Sequence, residues 1–252
     1  MADPLLARRA DGVLTLTLNR PDKRNALSAA LIARLVDELG AADLDADVRV
    51  VVLRGEGRDF CAGADLAELL ASAERDMAEN ESDALRLGEV FLRIRRLPKP
   101  VVAAVQGNAL AGGCGLATVC DVVVAAENAR LGYPEIQRGF VPAMVLAILR
   151  RQVGERVAFD LAGTGRILSA GEALQLGLVS RVAPEAELDR AVAAVVEPLA
   201  SGSATALALT KKLLYELDGR DFAEGIRLGA QVNALARTTP DFRDRIDRFL
   251  SS

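Results

Sequence analysis

Three short segments hold the residues whose types and spacing could do chemistry. In Leu131-Gly-Tyr-Pro-Glu-Ile-Gln-Arg-Gly-Phe-Val-Pro142, a carboxylate, Glu135, interrupts an apolar stretch punctuated by glycine and proline. Such a group either faces solvent or is held for use, and burial against apolar walls would lift its pKa toward the range useful to a general base. In Gly107-Asn-Ala-Leu-Ala-Gly-Gly-Cys-Gly-Leu116, glycines follow a strand-like run and precede a helix of small residues. Amides near Gly112 then stand at a helix start, where unpaired N–H groups favour an anion. In Gly57-Arg-Asp-Phe-Cys-Ala-Gly-Ala-Asp-Leu66, small residues leave the backbone open where a strand gives way to a helix, a second place for amides to meet developing negative charge. Each segment alone also has a plain structural reading as a solvated carboxylate, a packed glycine turn or a tight strand-to-helix turn. The Gly107 segment lacks the G-x-G-x-x-G and G-x-x-x-x-G-K-[ST] spacings, which removes nucleotide-phosphate readings.

Composition narrows the chemistry further. The chain has no histidine, so carboxylates or tyrosine must carry proton transfer near neutral pH, and a histidine-ligated metal is impossible. No other metal site is suggested by cysteine or carboxylate spacing. Cys61, Cys114 and Cys120 are odd in number and lack C-x-x-C spacing; they read as buried thiols in a reducing compartment. With 31 basic and 35 acidic residues, a net charge of -4 provides no field to recruit nucleic acid. No apolar core of a secretory signal occurs in residues 1–11, so the cytoplasm is expected. Residues 101–120 carry no charge, yet glycines, Gln106 and Asn108 break the run into a strand, a glycine turn and a helix, so no membrane span is expected.

Elements must position these segments. Strands are predicted at Val13 to Leu18, Val48 to Leu53, Val101 to Val105 and Val122 to Ala126. A helix runs from Ser28, its N-cap, to about Leu39, with Leu31, Ile32, Leu35, Val36 and Leu39 on one face. The alternation argues for an α/β fold with mostly parallel strands. Ser169-Ala-Gly-Glu172 forms a capping-box pattern that opens a helix ending near Gly177, and Thr239-Pro240 can start the last helix. A boundary near residue 195 divides an α/β core, 1–195, from a helical region, 196–252, suited to subunit contact. The charged stretch between Leu70 and Leu85 reads as a mobile flap or a solvated helix face.

Together and in this order, the three segments resemble the crotonase (enoyl-CoA hydratase/isomerase) superfamily. Leu18-Asn-Arg-Pro-Asp-Lys-Arg-Asn-Ala-Leu27 is similar to the family's N-terminal CoA-contact segment, and Gly171-Glu-Ala-Leu-Gln-Leu-Gly-Leu-Val179 to its later helix-strand signature. The resemblance implies a crotonase-like fold of repeated ββα units with a C-terminal helical region. It also implies an acyl-CoA thioester substrate with no separate cofactor, and a homotrimer or dimer of trimers. The amides of Ala64 and Gly112 are implied as the oxyanion hole and Glu135 as the catalytic carboxylate. Lys23, Arg24, Ala26, Ala62, Asp65 and Leu66 are implied as CoA contacts, with Tyr133 and Phe249 beside the substrate.

One departure bears on the reaction. Family hydratases usually carry a first glutamate at the position of Gly115, where two carboxylates would orient a water. With Glu135 alone, double-bond isomerisation is favoured slightly over hydration, for which Tyr133, Glu79 or Glu81 would have to supply the second acid. A thioester hydrolase and an inactive acyl-CoA-binding or assembly subunit complete the readings.

Overall fold

The computed structural model describes residues 2–251. Strands β1 (Leu5–Ala10) and β2 (Val13–Leu18) form an antiparallel hairpin. Helix α1 (Ala29–Leu44) crosses to β3 (Val50–Gly55), and α2 (Leu66–Ala71) and α3 (Met77–Arg96) lead to β4 (Val101–Val105). Next come β5 (Asn108–Leu110), α4 (Gly112–Thr118), β6 (Val122–Ala126), β7 (Arg130–Gly132), α5 (Ala143–Gln152), α6 (Glu155–Thr164), β8 (Ile167–Ser169), α7 (Ala170–Gln175) and β9 (Arg181–Ala183). Four helices end the chain: α8 (Leu188–Ser201), α9 (Ala204–Glu216), α10 (Phe222–Arg237) and α11 (Pro240–Leu250).

The main sheet has the order β1-β2-β3-β4-β6-β9, parallel from β2 onward, and a smaller sheet has the order β5-β7-β8. Successive side chains of a strand point to opposite faces, and here both faces are covered. Val51, Leu53, Val101, Ala103 and Val105 join the larger core with α1 and α3, while Val50, Val52, Val102 and Ala104 meet Leu188, Val192, Val195 and Val196 of α8. That explains why the central strands read as continuous apolar runs.

The predicted elements are present with shifted ends. Strand β3 begins at Val50 rather than Val48, and α1 continues to Leu44. Ser28 caps α1 by accepting from Leu31 N at 3.3 Å, and Ser169 and Glu172 close the capping box of α7. The charged stretch of 70–85 folds as the end of α2, a 3-10 turn and the start of α3, which Asp76 and Glu79 cap reciprocally. Residue 195 lies in the middle of α8, on the face packed against the sheet, and the helices that leave the core are α9 to α11.

A buried cation fastens α9. Lys211, 7% exposed, donates to the carbonyls of Ile94 at 2.8 Å and Lys99 at 3.0 Å and to Asp121 Oδ2 at 2.7 Å. Asp121 also accepts from Tyr215 at 2.6 Å and from Val101 N at 2.7 Å, and the Arg95 guanidinium lies 3.7 Å over the Tyr215 ring. Removing one member of a buried pair strands the other. Lys211→Met should therefore lower the unfolding free energy by about 3 kcal/mol, read from the urea midpoint, and adding Asp121→Asn should return part of the loss.

Candidate active site

Two backbone segments meet beyond the C-terminal ends of β3 and β4. Cys61 N donates to Asn108 O at 2.9 Å, and Leu110 N donates to Cys61 O at 2.9 Å. Three residues later the first segment pairs on its other side with Leu27, where Leu27 N donates to Gly63 O at 2.8 Å and Asp65 N to Leu27 O at 3.0 Å. Gly63 is held at φ +98, and a Cβ there would stand 3.0 Å from both Ala111 Cβ and Leu110 O and 3.8 Å from Gly112 N. The Ala64 and Gly112 amides thus emerge from adjoining backbone. Among the described residues, neither donates to a protein acceptor.

The Arg20–Ala26 loop is clamped beside them. Arg20 holds Asp65 Oδ2 at 2.8 Å and the Ala26 carbonyl at 2.5 Å. Buried Asn25 donates to the carbonyls of Glu56 at 2.9 Å and Asp59 at 2.7 Å, and accepts from Arg20 N at 2.8 Å. Asp59 Oδ1 accepts from the Asn108 amide at 2.9 Å and side chain at 2.6 Å. This network carries Lys23 and Arg24 exposed at the rim, with Ala26 and Ala62 half-buried below, joined where Ala62 N donates to Arg24 O at 3.0 Å. Leu66, 58% exposed, opens α2. The Asp65 carboxylate is engaged within the protein, since it also caps α2 by accepting from Ala67 N at 3.1 Å; the Arg20 bond, above all, holds its pKa below the ordinary range. Arg20, Asn25 and Asp59 were not singled out from sequence, although polar side chains crowded between Asn19 and Asn25 beside Pro21 are the composition of a hydrogen-bonded turn.

Glu135 is tied to these segments through β7. Ala111 N donates to Gly132 O at 2.8 Å, and three residues on Glu135 sits in a 3-10 turn, Pro134–Arg138. It is 7% exposed, and among the described residues its Oε2 has no hydrogen-bond partner. Burial raises its pKa above the ordinary glutamate value, while its own amide and Arg138 pull the other way. A carboxyl so placed can accept and return a proton.

Other predicted residues are placed elsewhere. Tyr133 is 0% exposed, with its hydroxyl 3.4 Å from Thr118 Oγ1. Burial raises its pKa well above the ordinary value, so it is a core residue rather than a substrate contact or spare acid. Glu79 is exposed and used in the α3 cap, accepting from Asp76 N at 3.1 Å, and Glu81 is also exposed. Leu87 of α3 is the residue that faces Gly112, and Glu81 stands about 9 Å from it along the helix. Phe249 is 78% exposed on α11, a helix tied to the end of α8 where Arg245 donates to Ser201 O at 3.2 Å. Ser203, next to that end, also donates to Asp241. The neighbouring Gly202 carbonyl accepts from Arg49 at the start of β3, the end of that strand opposite the Cys61 segment. Within one protomer, the first turns of the helix that carries Phe249 are therefore tied to the end of the sheet opposite the Cys61 segment.

At Gly115 a Cβ would lie 2.3 Å from Val145 Cγ1 and 3.4 Å from Phe91 Cζ. The place where a first carboxylate was missed is occupied by apolar side chains from α5 and α3.

The sequence pattern of the enoyl-CoA hydratase/isomerase family matches residues 8–250. The 2,3-dehydroadipyl-CoA hydratase of Escherichia coli is 40% identical, with 98% of this chain and 95% of that one covered. A Thermus thermophilus relative whose name marks it as a candidate enoyl-CoA hydratase is 46% identical, with 94% of each chain covered. The crystal structure of an enoyl-CoA hydratase of Mycobacterium smegmatis superposes with a TM-score of 0.94 at 37% identity, covering 98% of this chain and 96% of that one. With adjoining free amides and a buried glutamate set on that fold, the chain belongs to the enoyl-CoA hydratase/isomerase family and has the crotonase fold.

Proposed function

We propose that the protein isomerises the double bond of an enoyl-CoA thioester, with Glu135 as sole proton carrier. Glu135 takes a proton from C2 of a 3-enoyl thioester, and the electron pair delocalises onto the carbonyl oxygen. The amides of Ala64 and Gly112 hold that oxygen, each lowering the barrier by roughly 3 kcal/mol. The proton returns at C4, leaving the 2-enoyl isomer. Lys23 and Arg24 at the rim contact the CoA phosphates, with Ala26, Ala62 and Leu66 against the rest of CoA, and no separate cofactor takes part. The observation that carries this reading is a buried carboxylate with an unpartnered oxygen, in a chain whose space over Gly115 is filled by the carbon side chains of Val145 and Phe91.

Hydration is the second reading, favoured by the names of the Escherichia coli and Mycobacterium smegmatis relatives. The assembly proposed is a trimer or a pair of trimers, supported by the exposed Phe222, Ile226, Leu235, Phe242 and Ile246 on α10 and α11, which one protomer leaves uncovered.

Incubation with 2-enoyl-, 3-enoyl- and saturated acyl-CoA in heavy water, followed by mass spectrometry, separates the reactions. A shifted double bond means isomerase, added water hydratase, free CoA hydrolase, and unchanged substrate despite CoA binding an inactive module. Glu135→Gln should lower turnover about 10²- to 10⁴-fold while leaving CoA binding in place. Gly63→Ala should push the two amide segments apart and lower kcat about 10²-fold, with a smaller change in KM.

Glu135 also predicts a pH dependence. Its folded pKa lies above the unfolded value, so the unfolded chain ionises first, and the stability of the wild type falls as pH rises from the ordinary glutamate value through the raised one. The amide introduced by Glu135→Gln does not titrate. The melting temperature of that variant should match wild type in acid and exceed it increasingly toward neutrality, while wild-type turnover climbs across the same interval as the carboxylate forms.

A further inference from the structure

The packing around α4 carries a further inference, which rests on the one-carboxylate reading above. Positions 112 and 115 are three residues apart and share a face of α4. A Cβ at Gly112 would meet Leu27 Cδ1 at 3.3 Å and Leu87 Cδ2 at 3.5 Å, and one at Gly115 would meet Val145 and Phe91. Leu87 and Phe91 lie one turn apart on α3, and next to them Gly88 faces Met144 Sδ at 3.5 Å. The wall beside the Gly112 amide is therefore apolar, hydrocarbon at Leu27, Leu87, Phe91 and Val145 with the Met144 thioether behind it.

We infer that Val145 sets the reaction specificity of the site: by filling the space over Gly115 with Phe91, it denies the wall both a second carboxyl and an ordered water. A side chain grown at 115 would emerge about 5 Å along α4 from the Gly112 amide. Hydration needs a water near there, whose oxygen bonds C3 while the π electrons move to the carbonyl oxygen. One water proton passes to a carboxylate, and C2 takes a proton from an acid. An ordered water needs two or more polar partners, and Leu87, Phe91 and Val145 supply none from their side chains and Met144 only a weak thioether acceptor. Isomerisation moves a single proton from carbon to Glu135 and back, and needs no such partner.

The severe overlap at Gly115 is with one γ-methyl of Val145 at 2.3 Å, while Val145 Cβ stands behind it at 3.1 Å, so the collision separates into two substitutions. Gly115→Glu alone drives its Cβ into Val145 and should fold with a melting temperature well below wild type. Gly115→Glu with Val145→Ala removes the colliding methyl and leaves only the 3.1 Å contact with the residue 145 Cβ, so melting should recover most of the way to that of Val145→Ala alone, and conversion of 2-enoyl-CoA to 3-hydroxyacyl-CoA should rise about 10²-fold over wild type. The inference is overturned if Gly115→Glu alone folds and hydrates as well as the double variant, because Val145 then excludes nothing. It is equally overturned if the double variant folds, still isomerises 3-enoyl-CoA, and hydrates no faster than wild type. Failure of the underlying reading looks different: wild type and Glu135→Gln would then isomerise 3-enoyl-CoA equally slowly, whatever the variants at 115 and 145 do.

Discussion

The close approach of residues 61–64 to residues 108–112 is the constraint from which the site is built. Main-chain bonds between Cys61 and both Asn108 and Leu110 draw the segments together, and the absence of a side chain at Gly63 lets the next peptide lie against Ala111. Ala111 itself is held at φ +51 and ψ -125, a conformation that costs a residue with a Cβ about 1–3 kcal/mol. Its amide is pinned to Gly132 O at 2.8 Å and its carbonyl accepts from Gly115 N at 3.0 Å. That torsion sets the plane of the peptide bearing the Gly112 N–H, so the strain stored at Ala111 is what orients the donor.

The same bond to Gly132 couples the amides to the carboxylate. Strand β7 is paired with β5 on one side and β8 on the other, so the turn that carries Glu135 cannot shift without moving the Gly112 peptide. Burying an unpartnered carboxyl opposes folding, and the core around it, from Tyr133 and Cys114 to Leu131 and Leu168, is fully buried. A group whose protonated form is favoured by its surroundings and whose position is fixed by a sheet fits the proton transfer proposed for Glu135.

How much of this was legible in the sequence depended on whether a feature is local. The strand, glycine break and helix of residues 101–120 and the caps at Ser28 and Ser169 are local patterns, and they appear as β4, β5, α4, α1 and α7. Ala64, Gly112 and Glu135 stand out in the sequence only through the order of three segments and the family that this order resembles. Burial depends on partners distant in sequence, so Tyr133, an amphipathic side chain in a promising segment, turned out to point at Thr118. Glu79 likewise looked free until a cap claimed it. Val145, thirty residues from Gly115, leaves no local trace, and neither does the bond of Lys211 to Ile94, 117 residues away. The boundary at 195 was drawn where composition turns helical, but α8 is apolar on one face because it covers a sheet.

Lys211 connects the C-terminal helices to the candidate site. Its bonds to the carbonyls of Ile94 and Lys99 fix the C-terminal end of α3 against β4 and β6. Ile94 is three residues beyond Phe91 and seven beyond Leu87, all three on one side of a single helix. A rigid helix transmits position along its axis, so the cation that docks α9 also sets the depth at which Leu87 and Phe91 stand over Gly112 and Gly115. The outer helices therefore bear on the candidate site from behind the wall: Lys211 of α9 holds the Ile94 carbonyl near the C-terminal end of α3, and Leu87 and Phe91 of the same helix close against Gly112 and Gly115 of α4.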